Sequence, residues 1–430
     1  MSRILIRGGR ILDPQGGRDE RADLLIDDGR VAAVGAGLSA DGALVLDASA
    51  CWVAPGFVDL HAHLREPGQE YKEDIGTGGR AAVAGGFTAV ACMANTNPVN
   101  DDPATTDYII DRARQESPAR VYPVAAATKG LQGEVMTEMA ALQRAGAVAF
   151  SDDGKTIMDS GVMRRVLEYS KLVGAPVITH AEDRTLVGNG VLNEGPVATR
   201  LGLPGNPAIA EVVHVARDLA LAEFTGAHLH VAHVSTRQAV ELIRRARERG
   251  VNVTAEVAPH HLALTDEAAS GYDTNTKVAP PLRSAADRDA CRTGLADGTL
   301  DAIATDHAPH AQHEKELDFT EAPPGMIGFE TAAAVTLELV RAGELSPLEW
   351  VRRLSTNPAR ILARPGGSLS VGAVADVALI DPERVWRYDP AKGWSKSRNS
   401  PWAGAELTGR VVATLVAGRL VFDVERGVLA

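Results

Sequence analysis

PGFVDLHAHLREPG, residues 55–68, is the stretch from which the rest of the chain can be read. The apolar run Phe57 to Leu60 has the make-up of a short buried strand, and it ends in His61-Ala62-His63. Side chains at i and i+2 of a strand emerge on one face. His61 and His63 therefore leave the strand end side by side, an arrangement suited to a divalent metal such as zinc. Arg65 follows closely, and its planar fork of donors is the side chain best shaped to hold a carboxylate. A lone His-x-His also arises by chance on surface strands, so the reading depends on what other strand ends supply.

Downstream, short apolar segments alternate with helical ones. TAVACMA, RVYPVAA, AVAFSDD, APVITHAED, HLHVAHVS, VNVTAEVAP and DAIATDHAP read as strands, and SGVMRRVLEYSKLVG, AEVVHVARDLALAEFTG and RQAVELIRRARERG as helices. Roughly eight repeats of strand then helix predict an α/β fold, a (β/α)8 TIM barrel over residues 54–364, with chemistry at the C-terminal strand ends. Residues 1–53 and 365–430 have another rhythm, with alternating apolar runs broken by Gly and Asp clusters. They are expected to pair into one small, discontinuous β-sandwich-like domain, because two separate hairpins would be marginal alone.

Composition narrows the function classes. The chain has 430 residues, 45% of them hydrophobic but only 4% aromatic, so Ala, Val and Leu must fill the core. Its 44 basic and 56 acidic residues give a net charge of −12, which argues against nucleic acid or an anionic membrane as partner. An anionic substrate would then need a local positive site, and Arg65 offers one. Three scattered cysteines, Cys51, Cys92 and Cys291, suit reduced thiols in a cytoplasmic protein. The first residues lack a signal-peptide core, and no run approaches the ~18 apolar residues of a membrane span.

Several predicted strands end in polar side chains that could ligate or bind anions. One ends in Asp152 and Asp153, another in His180 with Glu182 and Asp183 beyond. A third carries His228, His230 and His233, and a fourth ends in Asp306, His307 and His310. Singly, an aspartate after a strand caps a helix and a strand histidine is a satisfied core residue. Recurrence at the strand ends of one barrel outweighs those explanations. Alternation favours His233 as a ligand and turns His228 and His230 toward the helical layer. His214 reads as packing or surface, and His260 and His261 as neighbours of the site. The polar stretch 307–325 suits either a lid or a surface excursion.

DLHAHLREPG, MANTNP at 93–98, FSDDG, THAED, HVAHVST, APPLR and ATDHAPHAQHEK together resemble the dihydroorotases of the amidohydrolase superfamily, in the class with an HxHLREPG signature. The resemblance covers essentially the whole chain. It implies a two-zinc site, with His61, His63 and Asp306 on one ion, His180 and His233 on the other, and Asp153 bridging. Lys155 lies near the place of the carboxylated lysine of relatives, but its spacing does not match. Arg65, Asn95 and His310 are implied to grip the substrate's carboxylate, His63 to border it, and Pro324-Gly325 to contact the ring. The family's asparagine before PPLR is Ala279 here, which leaves only backbone or water for recognition at that point. Asp306 is implied to be the catalytic base and acid. The implied reaction, in pyrimidine biosynthesis, interconverts N-carbamoyl-L-aspartate and L-dihydroorotate; a homodimer and a complex with aspartate transcarbamoylase are implied partners. Rival readings are a hydantoinase or allantoinase, or a non-catalytic scaffold for that transcarbamoylase.

Overall fold

Eight parallel strands, each hydrogen-bonded to its neighbour in chain order, form the middle of the protein: β1 (Phe57–Ala62), β2 (Phe87–Cys92), β3 (Arg120–Ala125), β4 (Ala149–Phe150), β5 (Val177–Thr179), β6 (Leu229–Val231), β7 (Val253–Val257) and β8 (Ala302–Ile303). The computed structural model describes residues 3–429. The strands are buried on both faces, which is why they read as apolar runs rather than alternating ones. Val58, Leu60, Ala89, Ala91, Ile178, Ala232 and Ala302 fill the interior. Phe57, Phe87, Val177, Leu229 and Val231 face outward onto the helices, against Val166, Leu219 and Ile243. The small interior side chains account for a core built with few aromatics.

Helices form where the sequence supplies caps and a stripe. Arg237–Glu248 starts at Thr236, whose side chain accepts from Ala239 N, and buries Ala239, Val240, Ile243 and Ala246. Ser160–Val173 starts at Asp159 and stops at Gly174, whose φ of 70° admits a residue without Cβ at no cost. At the seam between β8 and β1 the pairing is a single bridge, Ala62 to His307. Asp59 supplements it: its carboxylate accepts from Thr305 N at 2.9 Å and from the Thr305 hydroxyl.

The two ends of the chain build one nine-stranded sheet. Trp52–Pro55 runs antiparallel to the start of Val377–Arg387, with Pro55 opposite Val377. Ile4, Ile6, Leu24 and Val53 from the first end share a core with Val377, Leu379 and Leu415 from the second. Trp350 joins this unit to the barrel, edge-on to Phe57 at 5.4 Å and to Trp52 at 6.1 Å. Between Val377–Arg387 and Glu406–Val416 the chain makes an excursion, residues 388–405, toward the barrel's C-terminal face.

Candidate active site

The strand ends converge on a buried cluster of imidazoles and carboxylates. His63 Nε2 stands 3.2 Å from Asp306 Oδ1 and 3.6 Å from Asp153 Oδ2. Asp153 Oδ1 is 3.4 Å from His61 Nε2, 3.5 Å from His180 Nδ1 and 3.7 Å from His233 Nε2. His180 Nδ1 and His233 Nε2 are 3.0 Å apart. His61 belongs to two donor sets, one with His63 and Asp306 and one with Asp153 and His233, each with ligand atoms within 4.8 Å of one another.

These residues fit a metal on grounds of geometry. Most of the separations are too long for good hydrogen bonds, and a tetrahedral ion with bonds near 2.1 Å sets its donors about 3.4 Å apart. His61 Nε2 and Asp153 Oδ1 are buried without a hydrogen-bond partner, the condition that a cation relieves. The electrostatics agree. Burial opposes charge on His180, yet Asp153 and Glu182 raise it to about 10. His61 likewise ends well above its usual value against the pull of burial, through Asp153, Glu256 and Asp306. Burial raises the Asp306 carboxyl, but the His63 hydrogen bond and the His61, His63 and His233 charges bring it below the carboxylate range. A site so rich in carboxylates demands positive charge.

Each of three donors is oriented from behind, as metal-binding histidines commonly are. His61 Nδ1 donates to Glu256 Oε1 at 3.1 Å, which turns Nε2 toward the cluster. His63 Nδ1 donates to Asn95 Oδ1 at 2.9 Å, and this turns the Asn95 amide group inward. His180 Nε2 donates to Glu182 Oε2 at 3.0 Å, while Asn206 Nδ2 donates to the other Glu182 oxygen at 2.8 Å. Behind Glu256 the chain of contacts continues: His230 Nε2 donates to Glu256 Oε2 at 3.0 Å, and both His230 Nδ1 and His228 Nε2 lie 2.8 Å from the Thr254 hydroxyl.

The last contacts correct one expectation. His228 and His230 were expected to face the helical layer, but Leu229 and Val231 do so, and His230 is fully buried among the interior groups. Alternation carried through to His233 does not hold, because the backbone turns at His233, whose φ is +32°, and breaks the register. Asp152 accepts from Ala127 N and Thr128 N, both at 2.9 Å, and Asp183 caps a short helix, so both are turn-forming carboxylates. Lys155 is exposed. His260 and His261 are buried beside the pocket, and burial lowers His260 to about 4.

A cavity of about 300 Å³ opens above the cluster, lined by Asp153, His180, His233 and Asp306 on one side and by Arg65, Ala279, His310, Pro324 and Gly325 on the other, with His63 and Asn95 between. Arg65 is 8% exposed, and no carboxylate of the described residues lies within the 4.0 Å of an ion pair. Its Nε donates to Pro309 O at 3.1 Å, and Nη2 lies 3.3 Å from His310 Nε2. Burial lowers the guanidinium to about 10, still charged near neutrality, and nearby Asp306 and Asp153 sustain it. Burial, with Arg65 nearby, lowers His310 to about 2, so its ring is neutral. A buried cation with no acidic partner is costly unless an anion arrives. Stretch 307–325 is wired down: Lys277 Nζ donates to Phe319 O at 2.7 Å and Lys315 Nζ to Pro323 O at 2.9 Å.

Glu256, Glu182 in its orienting role, Asn206 and the two lysines were not among the predicted site residues. Glu256 left a signal, a lone carboxylate inside the apolar strand VTAEV; Asn206 left none.

Residues 51–239 match the dihydro-orotase-like family profile. A dihydroorotase of Syntrophotalea carbinolica is 54% identical over 98% of this chain and 99% of its own length. One of Anaeromyxobacter dehalogenans is 56% identical over 98% of each. Among solved structures, an L-hydantoinase (dihydropyrimidinase) from Arthrobacter aurescens superposes with a TM-score of 0.91 at 26% identity, covering 100% of this chain and 98% of that one. A dihydropyrimidinase from Brevibacillus agri gives 0.83 at 26% identity over 97% and 95% of the two chains.

Proposed function

The chain belongs to the dihydroorotase family, and from that premise we propose how its pocket interconverts L-dihydroorotate and N-carbamoyl-L-aspartate. The observation that carries the reading is Arg65, a buried guanidinium without a carboxylate partner, facing a cavity whose opposite wall is a metal-type donor cluster. A ring that carries a carboxylate at one end and a scissile amide at the other matches both walls at once.

His61, His63, Asp153, His180, His233 and Asp306 would hold two zinc ions, with Asp153 between them. When bound, such ions supply Lewis acidity and ionise water near neutral pH. The protein's own groups do the rest. Arg65 takes the substrate's carboxylate in a charge-assisted hydrogen bond, with the Asn95 amide and His310 completing the grip. Ala279 and Pro324-Gly325 border the ring and fix its orientation. Asp306, held ionised, takes a proton from the water that attacks the ring amide carbonyl. It then returns that proton to the departing ring nitrogen, and the C–N bond breaks. In the ring-closing direction Asp306 removes the proton from the attacking carbamoyl nitrogen and returns it to the carboxylate oxygen, whose bond to carbon breaks as the C–N bond forms. His63, bonded to Asn95 through Nδ1 and with Nε2 3.2 Å from Asp306, stands between the proton-moving group and the carboxylate grip.

The hydantoinase reading has one supporting observation, the TM-score of 0.91. Against it, the position expected to bridge the metals is an aspartate, and Lys155, close to it in sequence, is exposed. Purified protein with added zinc should turn over dihydroorotate in preference to hydantoin and allantoin, with about two metals per chain. Faster hydrolysis of either rival, or a content near one metal, would overturn the substrate or the binuclear assignment respectively. The family resemblance also carries a homodimer and an aspartate transcarbamoylase partner, which sedimentation with and without that enzyme would test.

A further inference from the structure

The excursion at 388–405 leaves the C-terminal part of the outer sheet and reaches the barrel face. It docks there through Ser397 Oγ, which donates to Lys72 O at 2.6 Å, and Lys396 N, which donates to Glu73 Oε1 at 3.1 Å. Asn399, 4% exposed, goes further in. Its Oδ1 accepts from His310 N at 3.1 Å. Its two amide hydrogens go to Ala308 O and Gly325 O, both at 3.0 Å. Its own carbonyl accepts from Ile327 N at 2.9 Å. The side chain's two donors are thus both engaged, its carbonyl is engaged, and the reversed amide would set oxygen against two carbonyls.

The two segments that Asn399 ties together are the two that carry the distal wall of the pocket. Ala308 N donates to Met326 O at 2.8 Å, and His310 Nε2 donates to Pro324 O at 2.9 Å. Contact between them is tight: a Cβ on Gly325 would lie 2.8 Å from Ala308 Cβ and 3.0 Å from His310 Cδ2. Where His310 stands relative to Arg65, and where Pro324-Gly325 stands relative to the ring, is therefore a matter of how these segments are spaced.

We propose that Asn399 is a positioning residue for substrate recognition, supplied to the barrel by the chain's C-terminal part, which fixes the spacing of His310 and Pro324-Gly325 beside Arg65. The assignment rests on the dihydroorotase reading of the pocket. Asn399 makes no hydrogen bond to a metal donor or to Asp306. Its removal should therefore disturb binding more than chemistry. The fold should survive, because Lys315 Nζ also holds Gly325 O, at 3.1 Å, and the Ala308–Met326 bond remains.

The test compares the full-length, zinc-loaded enzyme with Asn399→Ala and Asn399→Asp. The aspartate keeps the acceptor for His310 N but opposes both carbonyls. With dihydroorotate, KM is expected to rise roughly tenfold or more in each variant, with kcat within about threefold and metal per chain unchanged, the pattern of lost binding. A purely structural role would instead lower kcat with the folded or metal-loaded fraction and leave KM in place; that result, or a KM within twofold of wild type, overturns the proposal. Should wild type fail to turn over dihydroorotate, the activity reading falls, and calorimetry still decides the positioning role. Dihydroorotate then binds Asn399→Ala about tenfold more weakly than wild type if the proposal holds. Equal affinity overturns it, and absence of binding to wild type overturns both.

Discussion

The two walls of the pocket are built by opposite means. The donor wall hangs on the ends of barrel strands, and two of its three orienting partners are ionised carboxylates, Glu256 and Glu182, both held near 2 against burial by the histidines they face. The recognition wall hangs on loops, and its supports are lysine-to-carbonyl bonds and the amide of Asn399, which comes from the chain's other end. The donor wall must hold groups of like kind at fixed distances around a cation, and charge does that with few residues. The recognition wall must hold one cation and a neutral imidazole while leaving the cation free for a substrate anion; its nearest carboxylate, Glu314, is engaged by Lys72 at 2.9 Å, and neutral acceptors make the direct bonds to Arg65. A carboxylate in place of the Asn399 amide or the Pro309 carbonyl would compete with the substrate for Arg65.

Substitutions on the two walls should separate accordingly. The largest effect is expected at Asp306→Asn, where turnover should fall at least ~1,000-fold while binding of dihydroorotate persists. Wild-type turnover in that variant would remove Asp306 from the proton-moving role. Arg65→Ala comes next: loss of a charge-assisted hydrogen bond of about 1.5–3 kcal/mol should raise KM roughly 10–100-fold. An unchanged KM would mean that the carboxylate sits elsewhere. On the donor wall, Glu256→Gln should leave the pocket's shape intact and weaken zinc by about 10–100-fold, read by competition with a chelator. If affinity held while KM rose, the division between the walls would fail. Gly325→Ala has a smaller effect, a several-fold rise in KM, because the φ of +137° and the 2.8 Å approach to Ala308 force the recognition wall apart. The smallest concerns acid. His260 titrates near 4 when folded and about 6.5 when unfolded. Above 6.5 both states are neutral, whereas between 6.5 and 4 only the unfolded chain takes up the proton, so stability should fall as the pH drops through that window. A difference in melting temperature between wild type and His260→Asn that is flat across the window would contradict the buried neutral ring.

What the sequence revealed follows the same division. Strand–helix alternation and the pairing of the chain's ends were legible because burial writes itself into short apolar runs, as in VITH and VTAEV. His61, His63, Asp153, His180, His233 and Asp306 were found as strand-end residues, since a barrel brings all its C-terminal ends to one face. His228 and His230 were misplaced because alternation is a rule about regular strands, and the chain leaves it at His233. Asn399 was invisible: its side-chain partners lie 74 to 91 positions away, and an asparagine in a loop carries no period. Glu256 is legible as a carboxylate inside a buried strand, but it ends no strand, and the strand-end rule does not select it.

Glu256 has a further consequence once its ionisation is granted. An ionised carboxylate can only accept, so the bonds from His61 and from His230 both point toward it. With one proton on the His230 ring, its Nδ1 is a lone pair and must receive the Thr254 hydroxyl hydrogen. That hydroxyl has no second hydrogen, so His228 must donate to it. Every hydrogen from the far end of β6 up to the donor cluster then has its direction set by a single negative charge. A neutron map of the deuterated protein would show four arrows along that line, all aimed at Glu256.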